Sequence, residues 1–284
     1  MDGILVVNKP YGVTSHDVVY KVKKTLKEKV GHTGTLDPLA TGVLPLLIGK
    51  GTLISKYLIN HDKIYEATLK LGIKTDTLDS EGQVIEEKDV PEEILKKDFV
   101  QNVLKSFLGE QTQIPPMYSA IKVNGRKLYD YARNGEKVEI PERNIKIYDI
   151  ILLSIDVLNK EIKFRVECSK GTYIRTLCSD IAERMGNIGY MSALNRVKVG
   201  EFKIEDAIEV SEIDDANIKV ISIEEIFKEN AKIILDDSEL GKFLNGVKLN
   251  HNLEEKVYKI YDQTEKFIGL GIGINGYLKR DVIL

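Results

Sequence analysis

Hydrophobic residues near the start of the chain change their spacing within the first 30 positions. The run ILVVNKP begins with continuous apolar residues and ends at a Lys-Pro step, which is typical of a buried strand. After it the apolar residues recur at helical spacing: Val18, Val19, Val22 and Leu26. We therefore predict a strand followed by an amphipathic helix that is capped by Ser15.

The middle of the chain contains segments in which apolar and polar residues alternate, as in strands, and segments in which apolar residues recur at helical spacing. The stretch IYEATLKLG alternates polar and apolar residues, which predicts a half-buried strand. Residues 91–107 have helical spacing with Pro91 as the first helical position, and RKLYDYARNG predicts another helix that ends at Gly135. Two alternating runs, IKIYDIILLSIDVL and EIKFRVECS, predict neighbouring strands, and a helix is expected to begin near Thr172.

The order of these elements predicts the fold class. Strands and helices follow one another without a strict β-α-β rhythm, which favours an α+β domain with a mixed, mostly antiparallel sheet and flanking helices. After the acidic segment 205–230, the pattern predicts short strands and turns. We expect two domains in the 284 residues: a large one over 1–225 and a small β-rich one over 226–284.

Charge is distributed unevenly along the chain. The net charge is only −3, which argues against a protein that coats nucleic acid without specificity. Residues 9–30 hold six lysines against two acids, and residues 121–137 hold five basic residues against two acids, whereas residues 75–98 are acidic. The pattern favours one basic face on an acidic body, although a run of lysines on one helix, taken alone, is more typical of a solvated face.

Several classes of protein are disfavoured by the sequence. No apolar run reaches about 18 residues and the start lacks the features of a secretory signal, so we expect a soluble, cytoplasmic protein. Cys168 and Cys178 are too few for a disulfide framework and lack metal-ligand spacing, so they are expected to be reduced core thiols. His32 has no second histidine at ligand spacing and no nucleophile in a triad-like context, which argues against metal and acyl-transfer chemistry.

The loop GHTGTLDPLATG, residues 31–42, is the strongest candidate for chemistry. Its three glycines and Asp-Pro step indicate tight turns or close approach to a partner, and such loops commonly carry catalytic groups. A single aspartate in a loop is more often a capping residue. A catalytic role for Asp37 is therefore favoured only if a fixed cation lies near its carboxylate. Arg175 is a candidate for that cation, although an unmatched arginine is more often a surface group. Tyr65, taken alone, is typical of a half-buried core position.

Six segments of the chain are more informative as an ordered set than any one of them is alone. They are NKPYGVTSHDVV, GHTGTLDPLATGVLPLLIGKGT, KIYEATLKLG, IPPMYSAIKVNGRKLYDYAR, CSKGTYIRTL and the LNR of residues 194–196. In this order, over about 200 residues, they resemble the bacterial tRNA pseudouridine-55 synthases of the TruB family. The resemblance implies the pseudouridine synthase catalytic fold for residues 1–225, while residues 226–284 resemble only loosely the PUA-like RNA-binding domain of bacterial members.

The resemblance also implies roles for single residues. Asp37 would be the essential nucleophile, paired with Arg175, in the isomerisation of a uridine in the T arm of tRNA after base flipping. Tyr65 would stack on the target base and take part in proton transfer. The implied substrate-binding residues are His32, Tyr65, Tyr173, Leu194, Lys9 and Pro10. The last two would support the catalytic loop.

One departure and several alternatives accompany the resemblance. The family often has two consecutive arginines after the pocket leucine, where this chain has Asn195 and Arg196, which leaves one phosphate contact unassigned. Because isomerisation neither adds nor removes atoms, no cofactor or metal is expected, and the expected partner is tRNA, bound by a monomer. The alternatives are a guide-RNA-dependent or rRNA-directed synthase, a non-catalytic tRNA-folding protein, and a hydrolase that pairs Asp37 with Asp76 or Asp79. The hydrolase is disfavoured because Asp76 and Asp79 belong to a turn-rich acidic stretch.

Overall fold

The computed structural model describes residues 1–214 and 218–284, and strands predominate in these ranges. In chain order the strands are β1 (Gly3–Lys9), β2 (Val30–His32), β3 (Thr41–Ile48), β4 (Lys63–Leu71), β5 (Ile73–Thr75), β6 (Val84–Glu87), β7 (Gly109–Gln113), β8 (Lys122–Val123), β9 (Arg126–Lys127), β10 (Arg143–Asp156), β11 (Glu161–Cys168), β12 (Gly189–Val199), β13 (Phe202–Lys203), β14 (Ile208–Glu209), β15 (Ile221–Ser222), β16 (Lys232–Ile234), β17 (Leu249–Leu253), β18 (Val257–Tyr261), β19 (Phe267–Ile274) and β20 (Gly276–Ile283). The α-helices are α1 (Ser15–Leu26), α2 (Ser55–Leu58), α3 (Lys97–Lys105), α4 (Leu128–Arg133), α5 (Ile174–Arg184), α6 (Ile223–Ile226) and α7 (Asp237–Leu244). Short 3₁₀ helices lie at Gly49–Ile54, Glu92–Leu95, Ile204–Asp206 and Val210–Glu212.

A large mixed sheet forms the body of the protein. Its strand order is β14-β1-β3-β12-β4-β11-β10-β7, with β2 attached to β3, β13 to β12 and β15 to β1. The β1–β14 and β3–β12 pairs are parallel, whereas the other pairs of this sheet in the described ranges are antiparallel. The predicted α+β class, with a mixed and mostly antiparallel sheet, is confirmed. No helix in these ranges is long and apolar enough to cross a membrane.

Two hydrophobic layers hold α1, α3 and α5 to this sheet. The main layer joins α3 and α5 to the apolar face of β4, β10, β11 and β12, and a second joins α1 to β1 and β3. In the second layer α1 buries the four apolar positions that its spacing predicted. Cys168 and Cys178 are free thiols within the main layer, as the sequence predicted. The first turn of α5, which carries Arg175, is therefore anchored by buried side chains.

The start of α1 differs from the prediction in an informative way. Its N-cap is Thr14, whose hydroxyl accepts a hydrogen bond from the Asp17 backbone at 3.1 Å while the Asp17 carboxylate accepts one from the Thr14 backbone at 2.8 Å. The prediction that Ser15 caps the helix is therefore wrong. The Ser15 hydroxyl is buried and bonds both the carbonyl and the N–H of Leu36, which ties the helix to the loop that carries Asp37.

Gly42 shows why the candidate loop needs a glycine at its end. Its φ of +107° lies in the region that favours glycine, and a Cβ at this position would lie 2.2 Å from the carbonyl oxygen of Arg196. β3 and β12 pair in parallel here, with Gly42 opposite Arg196. The missing side chain therefore sets how closely β12 approaches the loop.

Helix predictions elsewhere are partly confirmed. The RKLYDYARNG helix is confirmed as α4, and Gly135 follows it with a φ of +65°. The helix predicted over 91–107 is wrong in its first half, because Pro91 precedes a 3₁₀ turn and the α-helix covers only Lys97–Lys105. A further helix, α7, lies where the pattern predicted strands and turns. Asp236 and Glu239 form a capping box at its start, and this Asp-x-x-Glu spacing is visible in the sequence.

The C-terminal residues build a second, smaller sheet, which confirms the predicted β-rich C-terminal domain. Within the described range 218–284 its order is β16-β18-β19-β20-β17. The acidic segment 205–230 includes residues 215–217, which lie outside the described residues. On either side of them, β14 and β15 both pair with β1, so these two strands complete the edge of the large sheet. The predicted division after residue 225 stays a prediction.

Candidate active site

A cleft of about 480 Å³ opens between the 31–42 loop, β4, β12 and the beginning of α5. Its volume lies in the range of about 300–1,000 Å³ that is usual for small-ligand sites. The sequence-predicted residues that line it are Asp37, Tyr65, Tyr173, Arg175 and Leu194. The fold thus brings together five side chains that are spread over about 160 positions of the chain.

Arg175 is the fixed cation beside Asp37. Its Nε lies 3.1 Å from Oδ2 of Asp37, and the Arg175 side chain is only 7% exposed. The guanidinium also donates to the carbonyl of Tyr118 at 2.9 Å and to that of Thr77 at 3.2 Å, which fixes its plane. Burial raises the pKa of Asp37, and the Arg175 guanidinium opposes that rise. With its side chain 36% exposed and lining the cleft, the Asp37 carboxylate can meet a ligand.

Asp79 contacts the same guanidinium. Its Oδ2 lies 3.2 Å from Nη1 of Arg175, and the Asp79 side chain is 4% exposed. Its Oδ1 accepts hydrogen bonds from the Thr77 hydroxyl at 2.5 Å and from the Glu81 backbone at 3.1 Å. Arg175 is therefore held between two carboxylates, one buried in the protein and one at the cleft.

The turn of residues 76–82 reaches the site because it docks on β12. The N–H of Met191 donates to the carbonyl of Leu78 at 3.1 Å, and Asp79 forms a parallel bridge with Met191. Asp79 therefore reaches the site although it belongs to a turn-rich acidic stretch. Asp76 is not among the residues that line the cleft, and its exposed carboxylate accepts a hydrogen bond from the Gln83 backbone within the turn. Sequence spacing gives no signal that separates the two aspartates.

Tyr65 and Arg196 are neighbours on adjacent strands of the sheet. They are Cα partners on β4 and β12, and both line the cleft. Arg196 is 1% exposed, and its guanidinium donates to the carbonyls of Val43 at 2.8 Å and Gly34 at 3.1 Å. Burial raises the pKa of Tyr65, and the Arg196 guanidinium opposes that rise. Arg196 is a site residue that the sequence located only as the last letter of the LNR motif.

Tyr173 and Leu194 form apolar walls of the cleft. Tyr173 is the N-cap residue of α5, and a buried side chain, Gln113, holds its backbone through two hydrogen bonds. The Gln113 amide donates to the Tyr173 carbonyl at 3.0 Å and accepts from the Tyr173 N–H at 2.8 Å. Leu194 lies opposite Ala67 on β4 and is 8% exposed. Leu194 is therefore positioned by the pairing of β12 with β4, and Tyr173 by the side-chain amide of Gln113.

Lys9 supports the Asp37 loop from inside the protein. Its side chain is fully buried, and its ammonium donates to the carbonyls of Val13 at 2.6 Å, Pro10 at 2.9 Å and Pro38 at 3.2 Å. Burial lowers the pKa of Lys9 to about 8, so the ammonium form persists at neutral pH. Because Pro38 follows Asp37, Lys9 contacts the loop directly while Pro10 lies exposed beside it.

His32 lies away from the cleft lining. It ends β2, where it pairs with Leu46 of β3, and its Nδ1 is buried with no hydrogen-bond partner among the described residues. Burial lowers the pKa of His32, which favours the neutral imidazole at neutral pH.

Replacing Lys9 with methionine is expected to lower the free energy of unfolding by about 2–4 kcal/mol, because three partly buried carbonyls lose the buried ammonium that donates to them. Urea unfolding measures this change. Lys24→Met, on the exposed face of α1, is the matched control and is expected to change stability by less than about 0.5 kcal/mol. If Lys9→Met were as stable as the control, the buried ammonium would not be what holds the loop.

The chain is also similar in sequence and structure to known proteins. Residues 21–174 match the sequence model described as TruB family pseudouridylate synthase (N terminal domain), and residues 175–236 match the one described as tRNA pseudouridylate synthase B C-terminal domain. Among the solved structures, an H/ACA RNP bound to a substrate RNA containing 2′-deoxyuridine superposes with a TM-score of 0.69 at 25% identity, covering 99% of this chain and 84% of that one.

Curated relatives extend the match over the whole chain. The protein called tRNA pseudouridine synthase B in Clostridium kluyveri is 45% identical, with 96% of each chain covered. Its namesake in Clostridium novyi is 46% identical with both chains fully covered, and that in Bacillus cereus is 41% identical with 95% and 92% covered. Five of the six segments that carried the resemblance in the sequence contribute residues to the cleft, and the first of the six bonds the loop that carries Asp37. The chain belongs to the TruB family of pseudouridylate synthases.

Proposed function

We propose that this protein isomerises a uridine of tRNA to pseudouridine, at position 55 in the T arm, without a cofactor. The observation that carries the proposal is the Asp37 carboxylate, 3.1 Å from Nε of Arg175 in a cleft with aromatic and aliphatic walls. The names of the curated relatives support tRNA as the substrate class. The T-arm site follows from the resemblance of the catalytic loop.

The reaction is balanced without any added atom. The bond between C1′ of the ribose and N1 of uracil breaks, the base turns, and a bond forms between C1′ and C5. N1 gains one proton and C5 loses one. Asp37 can attack C1′, remove a proton from the neighbouring ribose carbon, or add to the base, and each route starts from the ionised carboxylate. Arg175 favours that form.

The substrate must present its base outside the helical stack. Extrusion of a stacked base costs a few kcal/mol, and stacking on an aromatic side chain contributes about 1–3 kcal/mol per base. Tyr65 and Tyr173 are the aromatic side chains proposed for this role, and Leu194 completes the wall. We assign His32 to the RNA at the position that the base vacates, and the exposed lysines of α1 to the phosphates of the folded arm.

The proposal is tested with purified protein and an unmodified tRNA transcript. Mass spectrometry after chemical tagging of pseudouridine is expected to show one tagged site, in the T arm, with no cofactor or guide RNA added. A transcript with cytidine at that site is the matched control and should remain untagged. Release of free uracil would support a hydrolase, and activity only with a guide RNA would support a guide-dependent synthase. Either result would contradict the proposal.

A further inference from the structure

Arg196 differs from Arg175 in what surrounds its charge. Both guanidiniums are buried in the cleft wall, but Arg175 has carboxylates within 4 Å on two sides. For Arg196, the part of the chain that the structure describes provides backbone carbonyls and the phenol of Tyr65, and no carboxylate within that distance. A buried cation without a counter-charge is costly, and an anion that forms beside it relieves the cost.

The geometry points to Arg196 as the residue that makes Tyr65 the base for the C5 proton, by holding the phenol oxygen and stabilising its phenolate. This inference rests on the proposed isomerisation and adds a positioning residue to it. The two residues are Cα partners on adjacent strands, so their separation is fixed by the sheet. Two hydrogen bonds to carbonyls and the close packing of Gly42 hold the guanidinium and its backbone in place.

The other titratable groups around Tyr65 do not supply this stabilisation. Asp37 on the loop and Cys168 on β11 both disfavour a phenolate, whereas Arg196 favours it. Lys63, on the same strand as Tyr65, also lines the cleft, but its ammonium is bound to the carbonyl of His61. Arg196 is thus the cation that is both buried and directed at the phenol.

The proton that leaves C5 passes to Tyr65. Once C1′ has bonded to C5, that carbon still carries its hydrogen. The Tyr65 phenolate takes this proton, and the electron pair of the C5–H bond restores the conjugation of the uracil ring. Tyr65 released one proton when its phenolate formed, and N1 takes up one proton, so the total number of protons does not change. Tyr65 therefore ends the cycle as a phenol.

The test uses the full-length protein and a tRNA that carries deuterium at C5 of the target uridine. Arg196→Met is expected to slow pseudouridine formation by about 10²–10⁴-fold, the range of general base catalysis. It is also expected to increase the C5 isotope effect. The rise of the rate with increasing pH, which reports formation of the phenolate, is expected to move to higher pH. Arg196→Lys should partly restore the rate, the isotope effect and the position of this rise. A variant slowed equally at every pH, with an unchanged isotope effect, would show a merely structural role and overturn the inference.

A second measurement keeps the inference testable if Arg196→Met does not fold. Incorporation of 3-fluorotyrosine at position 65 makes the phenol more acidic with little change in size. In the otherwise unchanged protein the alkaline rise of the rate is expected to move to lower pH, and an unmoved profile would overturn the inference. If the unchanged protein forms no pseudouridine at all, the proposed function fails instead, so the two failures are distinguishable.

Discussion

Asp37→Asn is expected to stop pseudouridine formation while RNA binding stays within a few-fold of the original. The amide keeps the shape of the side chain and loses the charge that every proposed route requires. Removing a nucleophile of this kind lowers a rate by about 10⁴-fold or more. The measurements are the single-turnover rate on a tRNA transcript and the dissociation constant of the same RNA.

A matched exchange elsewhere separates the charge of Asp37 from a general effect of the substitution. Asp98→Asn makes the same chemical change on the exposed first turn of α3 and is expected to leave both quantities unchanged. Undiminished turnover by Asp37→Asn would exclude the carboxylate from the reaction. If neither the original protein nor the variant formed pseudouridine while both promoted tRNA folding, the non-catalytic alternative would be favoured.

Arg175→Met is expected to have the second largest effect, on stability as well as on rate. Asp79 would remain buried and Asp37 would remain in the cleft, both without their cation, and breaking a buried ion pair on one side costs about 3–5 kcal/mol. Loss of one electrostatic contact to a catalytic group lowers the rate by about 10²–10³-fold. Denaturant unfolding and single-turnover kinetics measure the two effects.

The pH dependence of this variant has a definite sign. Burial already raises the pKa of Asp37, and without the guanidinium that pKa rises further. Because the ionised carboxylate is the reactive form, the acid limb of the rate profile is expected to move to higher pH. The folded variant also holds that proton more tightly than the unfolded chain, so its stability deficit is largest above the raised pKa and shrinks as the pH falls.

Arg184→Met, at the exposed end of the same helix, is the control for Arg175→Met. Arg184 lies over the ring of Phe107 and bonds the Ser106 hydroxyl, so its loss is expected to cost less than about 1 kcal/mol and to leave the pH profile unmoved. If Arg175→Met kept the original acid limb, the cation would not control the ionisation of Asp37.

Local patterns predicted most of the elements that carry the site. The alternation of IYEATLKLG placed Tyr65 on a half-buried strand, and the glycines of the 31–42 loop indicated the close approach that Gly42 makes to β12. Both features depend on neighbours within a few positions, which a sequence displays directly. The capping residue of α1 was mispredicted because Thr14 and Ser15 are both good caps, and only burial decides between them.

Contacts between distant segments lie beyond such patterns. The position of Asp79 depends on a turn that docks on β12 more than 100 residues later, and an acidic loop that docks has the composition of one that does not. Arg196 has no local mark of burial either, because its environment is built from β3, β4 and the 31–42 loop. The order of the motifs indicated which residues belong to the site. Which of these residues contact one another could be determined only from the register of the sheet.

The pairing of β1 has a consequence for how the chain is made. One edge of this strand is completed by residues 208–209 and 221–222, although the strand itself ends at Lys9. A nascent chain on the ribosome must therefore carry an unpaired strand edge until more than 200 further residues have been synthesised. Such long sequence separation slows folding, and an open edge invites pairing with other chains. Fragments that end before residue 208 are expected to aggregate even though they contain every residue proposed to touch the base.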